Sequence, residues 1–171
     1  MTEDDELTAA ERRLRDHLVA QADARGKAIV EVAGDRDGAP YTFSVGAWQR
    51  LGVPEAVTIG LPEGVGSQLI DTYVERASQG EKFSPGQVWD DLLEGVLVTV
   101  ERVNKGHYFE FFGSAFLVHP EGDFEAVQLI TATPQDYWPW EADGPPGFAL
   151  WQPILTESGV PESWTPGVDG P

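Results

Sequence analysis

The sequence predicts a single α+β domain with about five mostly antiparallel strands, two or three helices on one face, and an irregular C-terminal belt rich in Pro and Trp. Short runs rich in β-branched and aromatic residues, separated by glycine turns, predict the sheet. Two segments with apolar residues at helical spacing predict the helices. Prolines recur from Pro134 onward and predict the belt, because proline interrupts regular hydrogen bonding.

Composition divides the chain into three regions. Residues 1–7 are acidic, and we expect this arm to be disordered. Residues 8–155 are expected to form one globular domain, since a chain of 171 residues can bury a substantial core. Residues 156–171 are expected to form an irregular acidic tail rich in Pro and Gly.

The first half of the globular region predicts one helix, a hairpin, a third strand and a second helix. Thr8 is a typical N-cap, and Gly26 is typical of the end of the helix that follows. Residues 28–32 and 41–46 flank a turn of glycines and aspartates, which indicates a hairpin. The segment "EAVTIGLP" predicts a third strand, and residues 64–78 predict a helix with one broad apolar face.

The second half is less regular. Residues 87–95 predict a short helix or helical turn. Residues 96–103 and 126–131 predict strands, which we expect to lie in the same sheet beneath the helix around residues 69–74. Residues 107–118 fit a helix by spacing and a strand by composition, so that both alternatives stay open.

Charge and composition argue against several classes of function. The formal net charge is −18, and no Lys or Arg follows Lys105. Such a surface repels phosphate groups, so neither nucleic acid nor an anionic membrane is an expected partner. The acidity fits a role in solubility or docking to a basic partner. The chain has no cysteine, and no apolar run is long enough for a signal peptide or a membrane span, so we expect a cytoplasmic protein.

Motifs for metal or phosphate chemistry are weak. The three histidines show no compact ligand spacing, so no metal site is expected, and no cofactor can be assigned. The segment "GVGSQL" at residues 64–69 begins with Gly-x-Gly and could hold a phosphate, but an ordinary helix start is the favoured interpretation.

Candidate ligand-binding residues come from unusual local settings, and no catalytic residue can be assigned. Glu55 is a carboxylate at the start of a strand, and Gln128 is an amide within the apolar run "AVQLI". Gln128 either points outward or makes buried hydrogen bonds. His107 lies among aromatic residues, where it is either a packed side chain or a general base.

The stretch "DYWPWEADGPPGFALWQP" gathers three tryptophans. Trp140 and Trp151 are expected to pack against the sheet, and Trp138 to face the other way, because side chains alternate along an extended segment. The cluster is interpreted as a structural belt that closes the core, with a pocket wall as the alternative.

Several segments, in their order and spacing, resemble the bacterial family called domain of unknown function 4262. They are "FSVGAWQRLGVPEAVTIGLP", "LLEGVLVTV", "AVQLI", "WPWE" and "WQPIL", and the resemblance extends from Ala28 to Leu155. Ala47, where the family usually has leucine, and the turn before Trp140 depart from the pattern. The corresponding positions are Gly46, Pro54, Glu55, Gly60, Leu61, Gly95, Gln128, Leu129, Pro139, Trp140, Glu141, Gln152 and Pro153.

The resemblance implies a bacterial intracellular protein and no particular activity. It adds Gln152 to the candidate ligand-binding residues. The first functional hypothesis is a non-catalytic module that binds a small molecule or a protein through the aromatic belt. The alternative is a cofactor-dependent, flavin-type oxidoreductase on a split-barrel-like sheet, an analogy suggested by the strand "YTFSV". The sequence does not predict the oligomeric state.

Overall fold

The computed structural model describes residues 7–171 and contains one six-stranded sheet flanked by helices. The predicted acidic arm, apart from residue 7, lies outside the described residues. The strands are β1 (Ala28–Val32), β2 (Tyr41–Val45), β3 (Glu55–Ile59), β4 (Val88–Leu93), β5 (Val96–Arg102) and β6 (Ala126–Thr131). The helices are α1 (Ala9–Arg25), α2 (Ala47–Leu51), α3 (Val65–Ser78), α4 (Tyr108–Phe111), α5 (Ala115–Val118) and α6 (Phe148–Trp151), with a 3₁₀ turn at Lys105–His107.

The strand order is β1-β2-β3-β6-β5-β4, so the sheet is open and has β1 and β4 as its edges. Every neighbouring pair is antiparallel except β3 and β6, which run parallel. The α+β class is confirmed, with six strands where the sequence predicted about five. The two strands expected to share a sheet are direct neighbours, since Val100 of β5 pairs with Leu129 of β6.

The prediction of a short helix over residues 87–95 is wrong. These residues form β4, in which Trp89 pairs with Val98 and Leu93 pairs with Val96, with an irregularity between the two pairs. Gly95, at a φ of 73°, closes the hairpin to β5. Trp89 is buried against the sheet, and this burial outweighs the helix propensity of the leucines and acidic residues.

Residues 105–118 are helical, which resolves the ambiguity of that segment. The 3₁₀ turn leads directly into α4, and α5 follows after a short break. Phe112 and Ala115 are buried there, and they pack with Phe43 of the central sheet. The spacing of apolar residues was therefore the better guide than the β-favouring composition.

Helices cover both faces of the sheet, whereas the sequence predicted helices on one face. Helix α3 packs through Leu69, Ile70 and Tyr73 against Val100 and Leu129, as expected for the helix around residues 69–74. The opposite face is covered by Leu18 of α1 together with α4 and α5. Within residues 7–171, no helix is long and apolar enough to cross a membrane.

The C-terminal belt packs differently from the prediction. Trp138 is buried, and its ring stacks on Trp140 with centroids 5.6 Å apart, while Trp151 is 50% exposed. The expected orientations of Trp138 and Trp151 are therefore wrong, whereas Trp140 packs against the cluster that contains Ile130 of the sheet. The amide of Glu141 donates to the carbonyl of Trp138 at 3.1 Å, so the chain turns here. Because the segment is a turn and not a strand, the rule of alternating sides does not apply.

Candidate functional site

Glu55 is buried, and its carboxylate is used entirely within the protein. Its Oε1 accepts from Ser44 Oγ at 2.7 Å and from the amide of Ala47 at 3.3 Å. Its Oε2 accepts from the amides of Gly46 and Trp48, each at 3.0 Å. Burial raises the pKa of Glu55, and these hydrogen bonds oppose that shift. The carboxylate thus holds the turn that begins α2 and has no free face for a ligand.

Gln128 and Gln152 connect the C-terminal segment to β6. Gln128 Nε2 donates to the carbonyl of Pro153 at 2.8 Å, and its Oε1 accepts from the amide of Leu155 at 2.9 Å. Gln152 makes the reverse pair with Thr131, accepting from its amide at 2.9 Å and donating to its carbonyl at 2.8 Å. Both amides are fully buried. These two side chains therefore replace a strand ladder that the prolines prevent.

His107 also contacts the C-terminal segment. Its Nε2 lies 3.0 Å from the carbonyl of Thr156 and donates to it, and its ring meets Phe111 edge to face. The structure thus brings His107, Gln128 and Gln152 to one segment, residues 152–156, and leaves Glu55 at a different turn. All four predicted side chains have internal partners.

The tryptophans have internal roles as well. Trp140 Nε1 donates to the carbonyl of Pro171 at 2.9 Å, and Trp151 Nε1 donates to the carbonyl of Gly60 at 3.0 Å. Trp138 packs with Ile130 and other buried residues of the C-terminal region. The indoles therefore hold the C-terminal region against the sheet.

The Gly-x-Gly segment begins an ordinary helix, as the sequence analysis favoured. The carboxylate of Glu31 lies at the start of α3 and accepts from the amide of Gly64 at 2.9 Å and from Ser67 Oγ at 2.6 Å. An internal carboxylate thus occupies the position that an anion would take at a helix N-terminus.

A cleft of about 650 Å³ opens at the end of the sheet where β3 and β6 begin and β5 ends. Four separate segments line it: residues 52–54 before β3, residues 73–85 from α3 and the loop after it, residues 102–108, and residues 125–127 at the start of β6. The first and last of these segments lie side by side. The amide of Glu55, which follows the first segment, donates to the carbonyl of Glu125 at 2.8 Å. The floor of the cleft is therefore built from strand ends.

Aromatic residues stand on both sides of the cleft: Phe83 is half-buried, while Tyr73 and Tyr108 are buried. Tyr73 and Phe83 meet edge to face with ring centroids 4.9 Å apart. The ring of Trp89 also packs on Phe83, with centroids 4.7 Å apart. On the other side of the sheet end, Tyr108 stacks on Phe124 at 5.0 Å. Each wall ring is fixed by a neighbouring ring, so the cleft is preformed.

Both wall tyrosines stay protonated at neutral pH. Burial, and then the charge of Glu55, raises the pKa of Tyr73, whose hydroxyl donates to the carbonyl of Pro54 at 3.0 Å. Burial also raises the pKa of Tyr108. Both tyrosines are therefore neutral, and both are buried, so that Phe83 is the half-buried aromatic ring of the lining.

Three cations and two acids line the cleft. Lys82, Arg102 and Lys105 are exposed, and their side chains make no ion pair or hydrogen bond within residues 7–171. Of the acids, Glu81 is held by Arg76 and accepts from the indole of Trp89. Glu125 is exposed. The cleft thus carries a local excess of positive charge in an acidic protein.

Sequence reasoning missed this cleft, because its lining comes from segments that are far apart along the chain. One signal was present: Lys82, Arg102 and Lys105 are the last three basic residues of the sequence. Their shared position at one sheet end follows from the antiparallel pairing of β4 with β5, which brings the loop before β4 beside the end of β5.

Comparison with family models finds one that matches residues 21–145, described as domain of unknown function (DUF4262). The match covers most of the chain and agrees with the resemblance seen in the sequence. The chain belongs to the DUF4262 family. Every residue that lines the cleft lies within the matched part of the DUF4262 chain, while Trp151, Gln152 and the tail lie beyond it.

Neither the search of curated proteins nor the search of solved structures finds a significant match to this DUF4262 protein.

Proposed function

We propose that this DUF4262 protein is a non-catalytic binding module that holds a small molecule in the cleft at the end of its sheet. The observation that carries the proposal is a preformed concavity whose rim cations have no internal partners. Small-molecule sites in proteins typically have volumes of about 300–1,000 Å³ and combine apolar walls with a few polar groups. The cleft, at about 650 Å³, falls in that range.

The shape of the site favours a small molecule over a protein partner. A stable protein interface buries on the order of 800 Å² on each partner over a fairly flat area. The cleft is instead a recess between α3 with its following loop and residues 102–108, with strand ends as its floor. A ligand that enters it meets the half-buried ring of Phe83.

The chemistry of the lining favours binding over catalysis. No histidine is among the lining residues in the described part of the chain. Glu81 is already hydrogen-bonded to Arg76 and Trp89, so it is a poor candidate for a general base. The lining offers ammonium and guanidinium donors and ring faces, which suit recognition.

A ligand screen with one blocking variant and one matched control tests the proposal. The purified protein is incubated with a library of small carboxylates, phosphates, amines and neutral compounds, and bound species are measured by native mass spectrometry. Ser84→Trp places an indole on the exposed rim of the cleft. Ala24→Trp places the same ring on an exposed position of α1, away from the cleft.

We expect at least one compound to bind the wild-type protein and the Ala24→Trp variant and to bind Ser84→Trp at least about tenfold more weakly, a loss of about 1.4 kcal/mol. If the library gives no bound compound, or if Ser84→Trp binds as the wild type does, the proposal is wrong.

A further inference from the structure

We infer that the ligand of the cleft is an organic anion with a planar apolar portion. The inference rests on the proposed function and narrows it to one chemical class. In the arrangement we infer, a carboxylate or a similar anionic group meets the cations at the rim. The planar portion lies against Phe83, the half-buried ring of the lining.

The first support is the state of the three rim cations. Elsewhere, Lys27 is paired with Asp71 and Arg50 with Asp23 at 2.7 Å. Arg13, Arg25 and Arg36 are exposed and have no ion pair within residues 7–171, but they do not line the cleft. Lys82, Arg102 and Lys105 likewise have no ion pair within residues 7–171, although the chain carries 29 acidic residues. A surface this acidic could readily pair them. That three such cations share one cleft identifies it as a place where an anion gains favourable contacts.

The second support is the contrast between the cleft and the rest of the molecule. The formal net charge of −18 repels anions over most of the surface. Cations around a concave opening between low-dielectric walls focus the field locally and attract an anion to that opening. A neutral or cationic ligand would gain nothing from this arrangement.

The walls specify the remainder of the ligand. Phe83 packs between Tyr73 and Trp89, and the guanidinium of Arg76 lies 6.0 Å from the centre of its ring. Tyr108, on the opposite side of the sheet end, is buried and stacks on Phe124. Rings prefer to contact other planar groups by stacking or edge to face. Through the half-buried ring of Phe83, the cleft therefore favours a flat unsaturated or aromatic body over a branched aliphatic one.

A pair of probes that differ only in charge tests the inference. Naphthalene carboxylate and naphthalene carboxamide have the same ring system, and only the first is an anion at neutral pH. Their dissociation constants are measured by isothermal titration calorimetry at low ionic strength. We expect the carboxylate to bind at least about tenfold more tightly, a difference of about 1.4 kcal/mol, because only the anion pairs with the rim cations.

Two triple variants locate the source of that preference. Lys82→Gln/Arg102→Gln/Lys105→Gln removes the rim cations, and we expect the affinity for the carboxylate to fall to that of the carboxamide. The control, Arg13→Gln/Arg25→Gln/Arg36→Gln, removes three exposed cations that do not line the cleft. Because both variants change the net charge equally, only a local effect can separate them. The control is expected to keep the preference.

The outcomes also separate this inference from the proposed function. Tighter binding of the carboxylate that is lost only in the rim variant supports the inference. If the carboxamide binds as tightly as the carboxylate, or if both triple variants behave alike, the inference is overturned and the proposed function still stands. If neither naphthalene binds, the inference is again overturned, and the library screen alone decides the proposed function.

Discussion

Gln128 and Gln152 show how single buried amides can replace a strand ladder. Each uses both its donor and its acceptor on the backbone of the opposite segment. Gln128→Leu leaves the carbonyl of Pro153 and the amide of Leu155 without partners. We expect it to lower the free energy of unfolding by about 2–4 kcal/mol in urea titrations. Gln87→Leu, at an exposed site, should change it by less than about 0.5 kcal/mol. Equal losses would contradict the role given to Gln128.

The tryptophans should contribute unequally to stability, in an order set by burial. Trp138 is 5% exposed and stacks on Trp140, whereas Trp151 is 50% exposed and has one hydrogen bond to Gly60. Trp138→Ala should lower the free energy of unfolding by about 3–5 kcal/mol, and Trp151→Ala should lower it by about 1 kcal/mol, as measured by chemical denaturation. A larger loss of stability for Trp151→Ala than for Trp138→Ala would support the arrangement that the sequence predicted, with Trp151 against the sheet and Trp138 facing away.

His119 should make stability depend on pH. Burial lowers its pKa below the ordinary value of 6.5, Asp123 opposes the shift, and its Nε2 is buried without a partner within residues 7–171. The folded state thus binds this proton less readily than the unfolded state does. Stability should therefore fall as the pH drops below 6.5 through the pKa of the folded state.

The check is the difference between wild type and His119→Gln in urea titrations between pH 7 and about pH 5. That comparison cancels groups common to both proteins, including Glu55. We expect the variant to lose stability less steeply over this range. If the free energies of unfolding of the two proteins change with pH in parallel, His119 does not cause the loss of stability at low pH.

At the scale of elements, the carboxylate of Glu101 binds the tail at residues 162 and 163 to the sheet. Glu101 of β5 is buried, and its Oε2 accepts from the amides of Glu162 and Ser163 at 2.9 and 3.0 Å. Its Oε1 accepts from the amide of Arg102 and from Ser163 Oγ. An amide at this position offers only one acceptor oxygen and would turn its NH₂ towards two donors.

Glu101→Gln should therefore release the tail while leaving the sheet folded. We expect faster amide hydrogen exchange at residues 162–164, with protection in β6 retained. Glu157→Gln, at an exposed tail position, serves as the control and should not change exchange. If exchange at residues 162–164 is unaffected by Glu101→Gln, the tail is held by other contacts, such as the packing of Trp164.

The sequence predicted the helices and strands well where contacts between residues close in sequence determine the structure. Thr8 Oγ1 accepts from the amide of Glu11 at 3.1 Å, and Gly26 ends α1 at a φ of 85°, as their residue types indicate. β4 was predicted wrongly because its identity depends on pairing with β5 and on the burial of Trp89. The neighbouring positions of β3 and β6 could not be predicted, since more than one fold connects strands so far apart in sequence.

For the whole molecule, the charge balance predicted the character of the surface but not the position of the cleft. The acidity is evident from composition, while the grouping of three cations needs the tertiary structure. The candidate residues were selected because their side chains are unusual for their sequence surroundings. In the structure, these side chains contact other parts of the protein. Buried Glu55 and Gln128 stand out in a sequence for the same reason that a ligand contact does, because both kinds of polar group need specific partners.

The net charge of −18 should also make stability depend on salt. Self-repulsion opposes the compact state, and the Debye length falls from about 30 Å at 0.01 M to about 8 Å at 0.15 M ionic strength. We therefore expect Tm, measured by calorimetry, to rise over that range of NaCl. A falling Tm would show that attractive ion pairs outweigh the repulsion.

The measurement that tests the central claim most directly is a titration of the isotope-labelled protein with naphthalene carboxylate, followed by amide chemical shifts. The cleft account predicts that the largest shifts occur in the lining segments, at Val53, Arg102, Lys105 and Ala126. Small shifts are expected around Trp138 and Trp140. The largest shifts at those two tryptophans, with the cleft unchanged, would contradict the account and return the binding site to the aromatic belt.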